Sequence, residues 1–397
     1  MRVSTLGSYE SGLASMLEIQ AALDRTQRQV YSGRRILTPS DDPISASRAL
    51  NLRERLARLE QFDRNANIAQ NRLRDEEAAL ANVNNILQRV RELALQANNS
   101  TQSNETRQLI ASEMRQRLDQ LVDIANSKDG SGRFLFAGNL DRTTPVTIVG
   151  GGYLYNGDQG SREIQIGESR RVTDGDSGDD VFFRIRAGNG TFEVTPAGAN
   201  TGSGVVGQSS VTDITQYDNA PYTVRFVSAT DYEVVDAAAA VIATGTHQAG
   251  GSIAFRGIEF SLDGQVAAGD TFDVVASPYQ DIFTSVLQLI GAVEANVVDD
   301  ATRAALNNGI NAGLQNVDQG IGNILDVQTR IGSRLAGIET QVDSNGAFAL
   351  TVQETLGSLE DLDYAEALSL LSLQASTLEA AQQSFVLTQR LNLFSFL

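Results

Sequence analysis

The sequence has no cysteine, no tryptophan, a single lysine, a single histidine and only six prolines in 397 residues. Without cysteine there are no disulfides, no thiolate nucleophile and no zinc–thiolate site. The one histidine, His247, lies in a Gly/Ala turn, ATGTHQAGG. It reads as an exposed loop residue, which leaves no His-based metal cluster and argues against a nucleophile–His triad. No run of about 18 apolar residues occurs, so no membrane span is expected. The N-terminus, MRVSTLGSYESGLASML, lacks the unbroken apolar core of a Sec signal peptide. The chain is therefore expected to be cytosolic or exported by a route that does not read such a signal. A formal charge of −18 argues against nucleic acid as a main partner, because phosphate backbones need basic neutralisation.

The charge that is present is uneven. Residues 1–140 carry 19 basic and 17 acidic side chains, whereas residues 281–397 carry 4 and 14. N- and C-terminal parts can thus attract one another. The prolines, at 39, 43, 145, 196, 221 and 278, leave two long proline-free stretches rich in Ala, Leu, Gln, Arg and Glu, which read as helix. In the first helix Leu6, Tyr9, Leu13, Met16, Gln20, Leu23, Gln27 and Val30 alternate steps of three and four, a heptad seam with two polar positions. A second helix is expected over about 44–97, on the order of 80 Å long, which suits a rod better than a globule. A third covers about 105–126. Residues 141–278 switch to short Val/Thr/Phe-rich runs parted by Gly, Asp and Asn, an all-β insert. Helices resume over 282–297, 302–342, 347–356 and 365–393. The last carries Leu371, Ala375, Leu378, Ala381, Phe385, Thr388 and Leu391 on one face. The expected fold is α+β: a long antiparallel helical rod made from both chain ends, with terminal helices pairing as a coiled coil and an all-β domain inserted between. Its expected segments are 1–43, 44–140, 141–278, 279–360 and 361–397.

Three acidic groups invite a chemical reading. Asp41 and Asp42 precede Pro43 at a helix start, and capping explains them more simply than metal binding. DGDSGDD spaces Asp174, Asp176 and Asp180 like a calcium loop. The glycine and closing glutamate of that motif are out of register, so a solvated turn is the expectation. Glu76–Glu77 reads as helix-surface charge. No catalytic residue, metal site or cofactor is expected. A metal-dependent enzyme housed in the β insert, for instance a hydrolase using the Asp174–Asp180 group, is the rival from another class. Unsatisfied seams at both ends describe a subunit that needs partners.

Four stretches carry a resemblance: YSGRRILTPSDDPISASRAL (31–50), GRFLFAGN (132–139), the β segment 221–275, and the C-terminal LEDLDYAEALSLLSLQASTLEAAQQSFVLTQRLNLFSFL. Together they resemble the bacterial flagellin superfamily, and within it the junction proteins of the hook-associated group. Filament flagellin is the nearest alternative, and GRFLFAGN and the LFSFL ending argue against it. The resemblance implies a non-enzymatic adaptor joining the first hook-associated protein at the hook tip to the flagellin filament. It would form a ring of identical subunits outside the cell. It implies type III export with a dedicated chaperone; the charge and hydropathy already lead to the expectation of no nucleic-acid and no membrane partner. Subunit contacts are then expected at Leu6, Tyr9, Leu13, Met16, Leu23, Val30, Leu371, Leu378, Phe385, Leu391, Phe394 and Phe396. Gly33, Pro39, Asp41, Asp42 and Pro43 are expected to form the turn, with Arg34 and Arg35 free on it to meet a neighbouring acidic surface. The first 40 and last 30 residues are expected to be mobile in the monomer.

Overall fold

The computed structural model describes the backbone of residues 5–394, and the side chains of Gly7 and residues 9–387. Leu6, Leu391, Phe394 and Phe396 therefore lie outside the residues whose side chains are described. Long helices at both chain ends enclose a β region in sequence: α1 Thr5–Ser32, α2 Pro43–Ala97, α3 Asn104–Ala125, then β strands, then α4 Ile282–Glu294, α5 Asp300–Glu360 and α6 Tyr364–Phe394. The chain divides into two compact units, Met1–Arg64 with Thr340–Leu397, and Asn65–Glu339. Both cuts fall inside helices, in α2 and α5.

In the first unit α1 and α6 run against each other, with the rings of Tyr9 and Phe385 at 5.1 Å. α5 is continuous where the sequence reads as two helices broken at DSNG (343–346). Asn345 explains the difference. It is only 2 % exposed, donates to Asp63 Oδ1 at 3.1 Å and accepts from Gln341 Nε2 at 2.9 Å. Its amide is satisfied inside the helix face, so packing overrides the turn-forming tendency of Ser-Asn-Gly.

In the second unit the buried stripe of α2 is Ala66, Ala69, Leu73, Glu76, Leu80, Val83, Leu87, Val90, Ala94 and Ala97, an unbroken three–four alternation. α5 answers with Leu306, Ile310, Val317, Ile324, Val327, Ile331 and Ile338. Strands β1 Val146–Val149 with β2 Gly152–Tyr155, and β3 Glu163–Gln165 with β4 Arg171–Thr173, form two small hairpins. VFFRIRA, expected as a strand, instead opens with a single π-helical turn over Asp179–Phe183. Its Val181 and Phe182 are buried, and Phe182 and Phe183 pack on Phe283 of α4. A strand would send alternate residues outward, and this cluster needs neighbours on one side. Only β5 Ile185–Arg186 follows, paired with β14 Tyr279–Gln280.

The remaining strands build a two-layer module. β10 Val241–Thr246, β9 Asp231–Asp236, β8 Tyr222–Phe226, β13 Thr271–Ala276 and β6 Phe192–Pro196 make one antiparallel sheet. β11 Gly251–Phe255, β12 Ile258–Asp263 and β7 Val205–Val211 make the other. Inward residues such as Phe226, Phe260, Phe272, Val224 and Ile253 share one core, following the period-two rule of strands. α5 ties this module down with amides. Asn308 is buried, donates to Gly204 O at 2.9 Å and accepts from Val206 N at 2.7 Å, while Asn316 accepts from Gly188 N at 2.7 Å.

Candidate assembly surface

The turn between α1 and α2 is held by its own polar groups. Gly33 takes a left-handed φ of 68°, as the residue after a helix often does. A Cβ there would stand 2.9 Å from the Tyr364 hydroxyl. Asp41 Oδ2 accepts from Leu37 N at 3.1 Å and Thr38 N at 2.8 Å, closing the loop around Pro39. Asp42 accepts from Ser45 N at 3.1 Å and its carbonyl from Ala46 N, with Pro43 as first helical residue, an N-cap arrangement. Both carboxyls are held below the usual carboxylate range, Asp41 chiefly by the Thr38 N–H and Asp42 chiefly by its hydrogen bonds with Ser45.

Arg35 is not free. Its N–H donates to Glu360 O at 2.7 Å, its guanidinium donates to Leu359 O at 2.8 Å, and it stands 3.6 Å from Asp42. The chain after α5 lies beside this turn, so Arg34 bridges Asp361 through backbone, and Leu362 N donates to Gly33 O at 3.0 Å. Arg53 pairs with Glu360 at 2.6 Å. Arg34 differs: its side chain is exposed and has no ion pair among the described residues. α6 then starts on an Asp363 cap, whose carboxylate accepts from Ala365 N and Glu366 N.

The paired helices leave much apolar surface open. Met16, Leu23, Val30, Leu371, Leu378 and Phe385 are half-buried, whereas Tyr9 and Leu13 remain exposed. On α6 the inward position next to Leu371 belongs to Gln374, and Ala375 is exposed. The expected face was displaced by one residue there, because a step of three from Leu371 keeps the heptad and a step of four leaves it. Leu17, Leu368, Leu370, Leu373, Val386 and Leu387 also face solvent. Scattered exposed leucines are ordinary, but concentration on two helices is the signature of a surface that another chain covers.

Of the three aspartates spaced like a calcium loop, Asp180 is exposed as expected, whereas the other two are structural and buried. Asp174 and Asp176 are 1 % and 8 % exposed, not a solvated turn. Arg334 grips Asp176 with two hydrogen bonds of 2.8 and 2.9 Å, and Arg162 pairs with Asp174. Buried Arg72 binds Asp129 at 2.6 Å and donates to the carbonyls of Phe134 and Leu135. GRFLFAGN is thus the piece onto which this network closes: Phe134 to Ala137 are buried, and Phe136 O accepts from Tyr155 and from Gly178 N. Glu76, read as a surface charge, is 1 % exposed. One of its oxygens accepts from Asp176 N at 3.1 Å and the other has no partner. Burial first, then the charge of Asp176, pushes its carboxyl well above the usual range. The missed signal was its phase, since 73, 76 and 80 continue the buried alternation of α2. His247 is likewise buried, at 4 % exposure, packed edge-on against Phe226 with both ring nitrogens unpartnered. Among the described residues no group of three or more acidic or histidine side chains is placed to hold a metal, and no helix is long and apolar enough to cross a membrane.

Residues 3–141 match the family model of the bacterial flagellin N-terminal helical region, which gives the class: a flagellin-type chain whose helical ends flank a β region. Over nearly its whole length the sequence is 26 % identical to flagellar hook-associated protein 3 of Salmonella typhimurium, covering 99 % of both chains. The crystal structure of Xanthomonas campestris FlgL is 34 % identical, with 76 % of this chain and 98 % of that one aligned at a TM-score of 0.72. The flagellar junction protein FlgL of Legionella pneumophila is 31 % identical, with 79 % and 100 % aligned at 0.73. The chain belongs to the flagellar hook-associated protein 3 (FlgL) family.

Proposed function

We propose that this chain is a structural subunit of the hook–filament junction of the bacterial flagellum. Copies of it would assemble with one another, with the first hook-associated protein on one side and with flagellin on the other. The observation that carries this reading is the row of exposed leucines on α6, from Leu368 to Leu387, beside a half-filled α1 seam. Two helices that bury so little on each other gain most of their stability from further burial, at about 25 cal/mol per Å². A structural role rather than catalysis agrees with the way the buried carboxylates are spent on arginines and backbone. Export through the flagellar type III apparatus with a chaperone completes the proposal.

In a strain lacking this chain we expect hooks without filaments and flagellin in the medium. Wild-type protein should restore filaments, and Leu370→Glu with Leu373→Glu should not, although the purified variant keeps wild-type circular dichroism. Filaments in the deletion strain would sink the reading. Arg34→Glu tests the turn as an intersubunit contact, because the exposed Arg34 side chain has no ion pair to lose among the described residues. Arg35→Glu does not, since it breaks contacts within its own chain. Unimpaired motility with Arg34→Glu would exclude that contact.

A further inference from the structure

A polar cavity of about 400 Å³ opens in the second unit between α5, the π-helical turn and Tyr279. Arg330 and Arg334 face it from adjacent turns of α5, and Arg184, the residue that ends the π turn, faces it too. Three guanidiniums around one cavity are unexpected in a chain of charge −18. Arginines four apart on a helix repel one another. Arg334 is fixed by Asp176, Arg184 stands 3.6 Å from Asp180, and Arg330 has no ion pair among the described residues. One positive charge is left over, which calls for an anion. Single π turns are rare and recur at functional sites; this one makes the 2.9 Å hydrogen bond from Arg184 N to Asp179 O that aims Arg184 and Asp180 at the same space.

The rest of the lining narrows the ligand. Asn323 donates its amide to Asp180 O and Val181 O, so its oxygen is left as an acceptor. Gln159 is used in the same way on Asp179. The hydroxyl of Ser161 adds a donor–acceptor, and the ring of Tyr279, 55 % exposed, with Arg186 at 4.7 Å and Arg184 at 5.7 Å from its centre, gives an apolar wall beside the guanidiniums. A simple inorganic anion would leave these acceptors and Asp180 unused, since both Asp176 oxygens are taken by Arg334, and an acidic peptide side chain brings a carboxylate without the hydroxyls that would donate to them. We propose that this cavity binds a sugar acid: its carboxylate lies between Arg330 and Arg184, its hydroxyls donate to Asp180 and the side-chain amide oxygens, and a ring face lies on Tyr279. Guanidiniums are suited to carboxylates by their paired donors, and the volume suits a single ring.

Titration calorimetry of the full chain with D-galacturonate tests this. Saturable binding is expected, weakened at least tenfold for galactose and for glutamate, and at least tenfold in Arg330→Gln. Trigalacturonate binding tighter than the monomer would identify the end of an acidic glycan as the source, and equal or weaker binding the free acid. No saturable binding at tens of millimolar, equal binding of inorganic phosphate, or unchanged binding by Arg330→Gln would overturn the proposal. Arg184→Gln gives the same readout if Arg330→Gln does not fold, and matching melting curves establish folding for either.

Discussion

Two buried titratable residues set opposite pH dependences in this molecule. Glu76 has a folded pKa above its unfolded value. Its contribution is therefore fully present below about pH 4.5 and is lost as pH rises through the folded pKa. His247 is shifted the other way, below its usual 6.5, chiefly by burial and against the pull of Asp263. Its contribution is present above about pH 6.5 and lost on acidification. Glu76→Gln should therefore raise the melting temperature at pH 8 by several degrees, with the gain shrinking toward pH 5. Its amide replaces the unpartnered oxygen with a donor beside aspartates. His247→Phe should instead flatten the fall in stability between pH 7 and pH 5. Thermal melts across that range check both, and a pH-independent gain from Glu76→Gln would mean that Glu76 is ionised in the folded chain. Neither residue betrays itself by type. Glu76 was visible only through its phase in the α2 alternation, and His247 was hidden because a Gly/Ala-rich neighbourhood looks the same whether or not a second loop covers it.

At the level of elements, the joint between α1 and α2 depends on one backbone conformation. Gly33→Ala combines a left-handed φ with a methyl group against the Tyr364 hydroxyl. It should cost about 1 kcal/mol or more, read by urea denaturation as a lower midpoint for the unit that contains α1 and α6. Wild-type stability would show that the turn has another low-energy shape. Most helix boundaries were legible to within two or three residues, because proline placement and heptad phase are local signals. The break expected at 343–346 and the strand expected at VFFRIRA were not. Both misread segments are set by what they touch: Asn345 by Asp63, and Phe182 and Phe183 by Phe283.

For the molecule as a whole, the division into two units makes a direct prediction. Residues 65–339 contain both facing stripes, the β module and the arginine–aspartate network, so they hold a complete core. Expressed alone, this fragment should fold cooperatively, and Arg72→Ala in it should cost about 3–5 kcal/mol by leaving Asp129 without its buried partner. A fragment that melts without a cooperative transition would show that the core is not self-sufficient. The amino-acid sequence alone determines the helix–β–helix order, the seams at both ends, the capping of α2 and the resemblance to flagellins, since each rests on periodicity or on residues close together in the chain. The tertiary structure decided the rest: the burial of Asp174, Asp176, Glu76 and His247, the docking of Arg35 on the end of α5, and the meeting of Arg184 with Arg330 and Arg334. Those depend on residues from 12 to 324 positions apart coming within a few ångströms of each other, and no local pattern encodes which side chain will neutralise a charge.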